Sequence, residues 1–413
     1  SRGLEPRGAG GEGAARGARE LAWEARRAAG GDAGPRRRGG AAGAPRGGAL
    51  ASLEEDLVRA FSDMNSRDVS MVLAACARAG HRPRHPSFWP ACEAALLRLS
   101  GPPGPLPAGR APPPPPGGSR ASEAGWLAAS LRAMAALGKG PRRAVVDALL
   151  WGLLREGPAA LDLAQAFWAL GRMRYVASAP LAAALDSALE GCVGKLSNQA
   201  LCQVLWSWRR TLTPGTSGGG SSDSGDACPL SEARRRALAA VQAEAEERLS
   251  QPRAGADFKG WEVVMFIDEL HRLGGDGGPA LLGALDEAVA PPPPGGGARF
   301  HALEARSAVL ALRALVRIHG TVPGEVLEGL LARIEPGVAR LSSSSLAALL
   351  KVLGELGHSP GEDFLEALRG QAKRQLPAFN ESRLLDALAG FAALKAHPGQ
   401  ELLQRFTDSM RLG

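Results

Sequence analysis

The chain of 413 residues is 45% hydrophobic. Its apolar residues are mostly alanine and leucine, a mixture that favours helices over strands. Residues 1–49 hold ten arginines and five acidic residues, so they supply most of the net charge of +7, and the charge by itself does not indicate a nucleic-acid surface.

The composition disfavours two further classes of protein: those stabilised by disulfides or zinc, and those that span a membrane. The five cysteines include no CxxC pair, which argues against a disulfide framework and against a zinc site. No uncharged apolar run approaches the ~18 residues that a membrane-spanning helix needs. The sequence therefore indicates a helical protein with reduced, buried cysteines.

The N-terminal segment, residues 1–49, is rich in arginine, glycine and alanine. This composition predicts a disordered basic segment. It is also typical of organelle transit peptides, which contain many arginines and few acidic residues. The remaining residues, 50–413, are predicted to form a helical array.

An internal repeat runs through that array. In residues 163–170 the apolar side chains stand at positions i, i+3, i+4 and i+7, which is one face of an amphipathic helix, and the pattern recurs 38 residues later in 201–208. We call these four positions the stripe, and we number other positions by their distance from its first residue. Eight stripes are found, and they begin at Val69, Leu127, Leu163, Leu201, Val263, Val309, Leu346 and Leu384.

The interval between stripes is close to 38 residues wherever no low-complexity sequence intervenes. Four of the seven intervals lie within two residues of 38. The three longer intervals contain proline-, glycine- or serine-rich inserts at 100–120, 213–230 and 291–297. We expect these inserts to be flexible or polyproline-like loops.

Each stripe is followed by a turn signal and by a second segment of helical periodicity. Turns such as "GHRP" (80–83) and "GHSP" (357–360) place glycine and proline where helices end. A single helix pair cannot bury its apolar face alone, so consecutive pairs are expected to stack. The predicted fold is all-α: an α-solenoid, wound as a right-handed superhelix, of about eight helix–turn–helix repeats with Pro/Gly-rich inserts.

Three segments carry a resemblance to a known family: "LDLAQAFWALGRM" (161–173), "SNQALCQVLWSW" (197–208) and "SLAALLKVLGELGHSP" (345–360). With the 38-residue period they resemble the octotricopeptide repeat family, which is abundant in green algae, and in style the FAST-kinase-like leucine-rich proteins of mitochondria. The resemblance covers about residues 50–413. It implies an array that binds organellar RNA and acts in transcript processing or stability, translation or rRNA assembly.

Candidate RNA-binding residues lie on the helix face opposite the stripe. At about 100° per residue, Gln165, Trp168 and Arg172 fall together on that face. An amide, an aromatic ring and a guanidinium side by side can read and stack on the bases of single-stranded RNA. The next copy repeats the set as Gln203, Trp206 and Arg210.

Other arginines extend this set. Arg78 and Arg272 occupy the same register position as Arg172, and Arg174 and Arg209 add positive charge beside it. An alternative interpretation stays open, because the far face of a solenoid helix often packs on the neighbouring repeat. Arginine in the last helical turn also stabilises the helix dipole.

No catalytic, cofactor or metal site is predicted. The histidines at 81, 358 and 397 lie at turns between helices, where capping is the simpler role, and no nucleophile or carboxylate recurs with them. The acidic residues show no metal-ligand spacing.

Two functions are therefore compared. The first is an RNA-binding protein of the mitochondrial matrix or chloroplast stroma that holds organellar mRNA or rRNA along its solenoid surface, alone or with other proteins of a ribonucleoprotein complex. The alternative is a protein-interaction solenoid, such as a structural subunit of an organellar ribosome. No membrane span is predicted for either.

Overall fold

A computed structural model describes residues 19–26, 50–101, 122–138, 140–212, 231–250, 258–290 and 303–412. These residues form α-helices and short 3₁₀ helices and no β-strand. The all-α prediction is therefore confirmed. The predicted inserts lie outside the described residues except at their edges.

Two helices precede the repeat, α1 at 19–26 and α2 at Glu54–Ala60. Sixteen helices follow, and they form eight pairs. The first helices of the pairs are α3 (Ser66–Ala79), α5 (Glu123–Leu137), α7 (Ala160–Met173), α9 (Asn198–Leu212), α11 (Gly260–Arg272), α13 (Ala305–His319), α15 (Ser343–Leu356) and α17 (Glu381–Ala393). The second helices are α4 (Phe88–Ser100), α6 (Arg143–Arg155), α8 (Ala179–Glu190), α10 (Glu232–Ser250), α12 (Pro279–Val289), α14 (Gly324–Ile334), α16 (Glu362–Gln375) and α18 (Gln400–Leu412).

Helix α1 lies within the segment predicted to be disordered. Its Ala22 and Ala25, one turn apart, are fully buried, and the charge of Arg19 acts on Asp68 at the start of α3. The burial of these two small apolar side chains on one face shows that the short helix packs against other residues. The rest of the segment 1–49 lies outside the described residues.

Every predicted stripe lies in the first helix of a pair. All stripe residues are buried except Arg313, Val316 and Leu388, which are half-buried. Helix propensity is a weak force by itself, so these helices depend on burial of the stripe between neighbours. The periodicity of the sequence thus located the core correctly.

The turns that end five of the eight first helices share one hydrogen-bonding scheme. The backbone N–H at position 12 donates to the carbonyl at position 7, the last residue of the stripe, which is the Schellman closure of a helix. It occurs in five pairs: His81 to Cys76 (2.9 Å), Tyr175 to Leu170 (2.9 Å), Gly275 to Leu270 (3.0 Å), His358 to Leu353 (3.2 Å) and Ala396 to Phe391 (2.9 Å). The repeat is therefore a repeat of backbone geometry as well as of apolar residues.

The chain divides into two compact units. Unit 1 contains residues 1–196, 206–212 and 231–237, and unit 2 contains 197–205, 213–230 and 238–413. Helices α9 and α10 contribute residues to both units.

Each unit has two layers of helices. In unit 1, α3, α5 and α7 pack in order, and α4, α6 and α8 form the second layer. In unit 2, α11, α13, α15 and α17 pack in order, with α12 against α14 and α16 against α18. First helices contacting first helices is the packing that a solenoid requires, so this arrangement is compatible with one.

An ion pair with a fully buried carboxylate holds helices of unit 1 together. Asp186 on α8 accepts hydrogen bonds from the Trp208 indole N–H (3.1 Å) and from Arg234 Nε (3.0 Å). The Arg234 guanidinium also lies 5.4 Å from the centre of the Trp208 ring. Burial raises the pKa of Asp186, although Arg234 and Trp208 oppose that rise. These contacts of the carboxylate fix the end of α9 and the start of α10.

Glycine allows the closest helix contact in unit 2. A Cβ placed on Gly390 of α17 would lie 2.5 Å from the backbone carbonyl of Leu350 on α15. Gly354 of α15 meets Ala393 of α17 in the same way, at 2.9 Å. The two helices therefore approach to a distance that excludes any larger side chain.

We predict that Gly390→Ala lowers the free energy of unfolding by about 1–3 kcal/mol, because backbone atoms have to move to admit the methyl group. Gly329 on α14 is the matched control, since a Cβ there meets no atom within 4 Å. Gly329→Ala should instead stabilise the protein by about 0.5–1 kcal/mol, the usual gain for alanine in a helix. Urea unfolding followed by circular dichroism measures both, and equal effects would contradict the packing described.

Candidate nucleic-acid interface

Tryptophan rings covered by arginines link consecutive first helices of unit 1. Arg67 of α3 lies 5.8 Å from the ring centre of Trp126 on α5. Arg132 of α5 lies 6.0 Å from the ring centre of Trp168 on α7. Both rings are half-buried and both arginines are exposed. We call these two ring–guanidinium pairs the Arg–Trp ladder.

The third tryptophan, Trp206 on α9, is held more tightly. Arg210 lies 5.2 Å from its ring centre and donates from Nε to the carbonyl oxygen of Gly171 on α7 at 3.0 Å. A Cβ on Gly171 would lie 2.8 Å from the Trp206 ring and 2.7 Å from Ser207 Cα. Trp206 and Arg210 therefore pack on the preceding first helix, as the alternative interpretation of these residues expected.

The other sequence-predicted residues are distributed as follows. Gln165 and Arg209 are half-buried, and Arg78, Arg172 and Arg174 are exposed. Arg78 and Arg172 form no ion pair within the ranges that the structure describes. Gln203 is half-buried and belongs to the part of α9 in unit 2, and Arg272 is half-buried in unit 2.

Sequence reasoning missed three of the four residues of the ladder: Arg67, Trp126 and Arg132. It grouped Trp168 with Arg172 on the same helix, whereas the guanidinium over the Trp168 ring comes from the preceding first helix. A signal for Arg132 was present, because Arg132, Trp168 and Trp206 all occupy position 5 of their copies. No such signal distinguishes Arg67.

Arg174 ends α7 in a backbone conformation that glycine normally adopts. Its φ is 53°, and the corresponding residues of α3, α5, α13 and α15 are glycines with φ between 62° and 71°. Lys395, after α17, is the other non-glycine residue with positive φ among the described residues. Both exceptions are exposed cations beside a helix C-terminus, where positive charge is favourable.

We predict that Arg174→Gly raises the free energy of unfolding by about 0.5–1 kcal/mol, because it removes the penalty of an L side chain in the left-handed region. The reciprocal change, Gly357→Arg, should lower it, since Gly357 has φ of 62° and open space around it. Denaturant midpoints of both variants test the pair. A loss of stability in Arg174→Gly would mean that the arginine makes a stabilising contact larger than the strain.

In unit 2 a carboxylate gathers three arginines. Asp268 on α11 has a side chain only 3% exposed. It accepts from Arg313 of α13 at Nη2 (2.5 Å) and Nε (3.2 Å), and it lies 3.4 Å from Arg317 Nη1 and 3.2 Å from Arg272 Nε. Burial tends to raise the pKa of Asp268, but Arg313, Arg272 and Arg317 outweigh it and hold the pKa below its usual value. We call these four residues the Asp268 cluster.

The lowered pKa fixes the sign of a pH effect. The ionised Asp268 contributes stability above the pKa that it has in the unfolded chain, and this contribution is lost as the pH falls through its lower, folded-state pKa. We predict that Asp268→Asn destabilises the protein by about 1–3 kcal/mol at neutral pH. The difference from wild type should shrink as the pH is lowered below about 4, near the usual pKa of an aspartate. Unfolding midpoints measured from pH 6 to pH 3 test this, and a difference that stays constant with pH would contradict it.

The histidines at turns make structural contacts. His81 Nε2 lies 2.7 Å from Glu54 Oε1, and Glu54 Oε2 accepts from the backbone N–H groups of Arg84 (2.9 Å) and His85 (2.6 Å). His397 Nδ1 accepts from the backbone N–H of Gly399 at 3.1 Å. These histidines therefore order turns, the role that the sequence suggested.

Three of the four described cysteines behave as small core residues. Cys76, Cys92 and Cys202 are buried, whereas Cys192 is half-buried. Burial raises the pKa of Cys76 to about 12, so its thiol is a poor nucleophile. Cys228 lies outside the described residues. Within the described ranges no three His, Cys, Asp or Glu side chains are grouped so as to hold a metal ion. None of the described helices has the length and apolar character to cross a membrane.

Comparison of the chain with protein-family models and with curated proteins finds no match.

Proposed function

We propose that this protein is an RNA-binding α-solenoid, wound as a right-handed superhelix, that holds single-stranded RNA along its layer of first helices. The eight helix pairs, the common turn geometry and the two-layer packing within each unit support the solenoid. Solenoids offer long surfaces built from equivalent residues, which suit an extended ligand.

The Arg–Trp ladder is the observation that carries the proposal. Aromatic rings provide stacking surfaces for bases of any sequence, and arginines provide charge for phosphates. Trp126 and Trp168 are half-buried, so each ring keeps an exposed part, while Arg67 and Arg132 lie exposed over them. The exposed Arg78, Arg172 and Arg174 on the same set of helices add positive charge to this layer. Trp206 and Arg210 support the scaffold, because they pack on Gly171.

We further propose that the RNA is a mitochondrial or chloroplast mRNA or rRNA. The octotricopeptide-like repeats and the arginine-rich composition of residues 1–49 support this placement. In this proposal the protein acts in transcript processing or stability, translation or rRNA assembly. It uses no cofactor and catalyses no reaction.

We predict that replacing both Arg67 and Arg132 with Gln weakens binding of a single-stranded RNA. The logarithmic salt dependence of affinity should fall by about one for each phosphate group that the variant no longer binds. Arg59→Gln is the matched control, because Arg59 is an exposed arginine on α2 whose ion pairs are with Glu55 and Asp56 of its own helix. Filter binding at several salt concentrations gives both quantities. Equal affinities and slopes in the double variant and the control would reject the ladder as the binding surface.

The native RNA is identified by crosslinking and sequencing from purified organelles. Enrichment of particular transcripts or of rRNA is the expected result. Recovery of no enriched RNA would contradict the proposal.

One observation favours the alternative, a protein-interaction solenoid in an organellar complex such as a ribosome. The residue at position 1 of each copy directly follows the first stripe residue. It is buried or half-buried in the first helices from α3 to α15, for example 2% exposed at Ala347. In α17 the residue at this position, Leu385, is 46% exposed. Large exposed apolar side chains are typical of protein contacts. Isolation of the protein with a stable protein complex whose composition does not change after RNase treatment would favour this alternative.

A further inference from the structure

The last helix pair of unit 2 exposes apolar side chains on the side away from the pair before it. On α17, Gly390 marks the side that faces α15, because a Cβ there would lie 2.5 Å from the backbone carbonyl of Leu350. At about 100° per residue, Leu385 and Leu388 lie about 140° and about 160° around the helix from Gly390. Leu385 is 46% exposed and Leu388 is half-buried, so the side of α17 opposite α15 is apolar and open.

The second helix of this pair, α18, has the same arrangement. Glu401 accepts a hydrogen bond from Lys373 of α16 at 2.6 Å, which marks the side of α18 that faces the preceding pair. Leu403 lies about 160° around the helix from Glu401, and it is 40% exposed. Both layers of the unit therefore leave apolar side chains open at the same end. We call the following residues the end face: Leu385, Leu388 and Ala392 of α17, and Leu403 and Phe406 of α18.

In the other copies the corresponding positions of the first helix are covered. Positions 1, 4 and 8 are buried or half-buried in every first helix from α3 to α15, whereas Leu385 and Ala392, at positions 1 and 8 of α17, are exposed. In α15, Leu350 at position 4 and Gly354 at position 8 pack against α17. A repeat that lies uncovered at the end of a solenoid needs a polar outer face to stay soluble. The end face is apolar, which indicates that another helix covers it.

The side chains of α17 are complementary in size to those of a second α17 helix that runs antiparallel to it. The large residues of its open side, Leu385 and Leu388, lie toward the N-terminus, and the small residues, Ala389 and Ala392, follow toward the C-terminus. Antiparallel pairing places the leucines of each copy over the alanines of the other. Large side chains opposite small ones let two faces interdigitate without voids.

The charges at the two ends of α17 favour the same antiparallel pairing. Glu381 lies one turn before Leu385 on the same side of the helix, and Lys395 follows the C-terminal end. Both are exposed, and each stands seven residues from Leu388. Antiparallel pairing centred on Leu388 therefore brings Glu381 of each copy near Lys395 of the other, whereas parallel pairing would bring like charges together.

We propose that two copies of this chain associate through the end face, with their α17 helices antiparallel. The contact is isologous, since each copy presents the same residues, so it closes with two-fold symmetry and stops at a dimer. It continues the packing of first helix on first helix that α15 and α17 already show. No residue of the Arg–Trp ladder takes part, so the proposal does not rest on the RNA function.

Sedimentation of the full chain over a range of concentrations tests the association, and wild type should show a reversible monomer–dimer equilibrium. Leu385→Glu should weaken the dimer about a hundredfold, because each dimer would bury two unpaired carboxylates. Leu161→Glu is the matched control: Leu161 is a 65% exposed leucine on α7, outside the end face, and this variant should dimerise as wild type does. If Leu385→Glu fails to fold, Leu403→Ser removes apolar area from the other helix of the end face and should weaken the dimer several-fold.

Charge reversal tests the antiparallel arrangement. Glu381→Lys and Lys395→Glu should each weaken the dimer several-fold, as expected for exposed ion pairs turned repulsive, and both changes in one chain should restore it. A wild type that stays monomeric at every concentration, or equal association of the Leu385 and Leu161 variants, would overturn the proposal. A double reversal that associates no better than the single ones would also overturn it, as would a monomeric wild type that binds a different protein through Leu385.

Discussion

Burial of the stripe of each first helix against its neighbours is the constraint on which the rest of this structure depends. Each stripe supplies three or four apolar side chains that a single helix pair cannot remove from water. Stacking first helix on first helix satisfies that need within each unit, and glycines such as Gly171 and Gly390 let the backbones approach closely where the contact is tightest. In five of the eight pairs the Schellman closure at position 12 then sends the chain into its second helix in the same way. Local turn geometry and long-range packing therefore favour the same repeat.

Because this stacking buries the stripe, the residues at other positions of the first helices are the ones available for a function. Position 5 varies among the copies: it is Ala74, Arg132, Trp168 and Trp206 in unit 1, and Asp268, Ala314, Lys351 and Ala389 in unit 2. Trp168 and Trp206 have guanidinium groups over their rings, and Asp268 is a buried carboxylate that collects arginines. Both arrangements concentrate arginine at contacts between first helices.

The fold was largely predictable, and the candidate site was predictable only in part. Helix pairs, stripes and turns follow from periodicity and from glycine and proline, which act over a few residues. The pairing of Arg132 with Trp168 joins residues 36 apart, and the pairing of Arg313 with Asp268 joins residues 45 apart. No local pattern specifies such partners. Arg313 is a charged residue in an otherwise apolar stripe, and its partner Asp268 lies on a different helix, α11.

The sequence by itself determined that the chain is helical, that its core is formed by eight stripes, and that first helices other than α7 end near a glycine or proline, because these properties depend on interactions within about one or two helical turns. Only the tertiary structure decided that Arg67 and Arg132 lie over Trp126 and Trp168, that Trp206 packs on Gly171, and that three arginines converge on Asp268. Those outcomes depend on which side chains neighbouring helices bring within a few ångströms. The distance between helices and their register set that choice, and neither is encoded in the periodicity of a single helix.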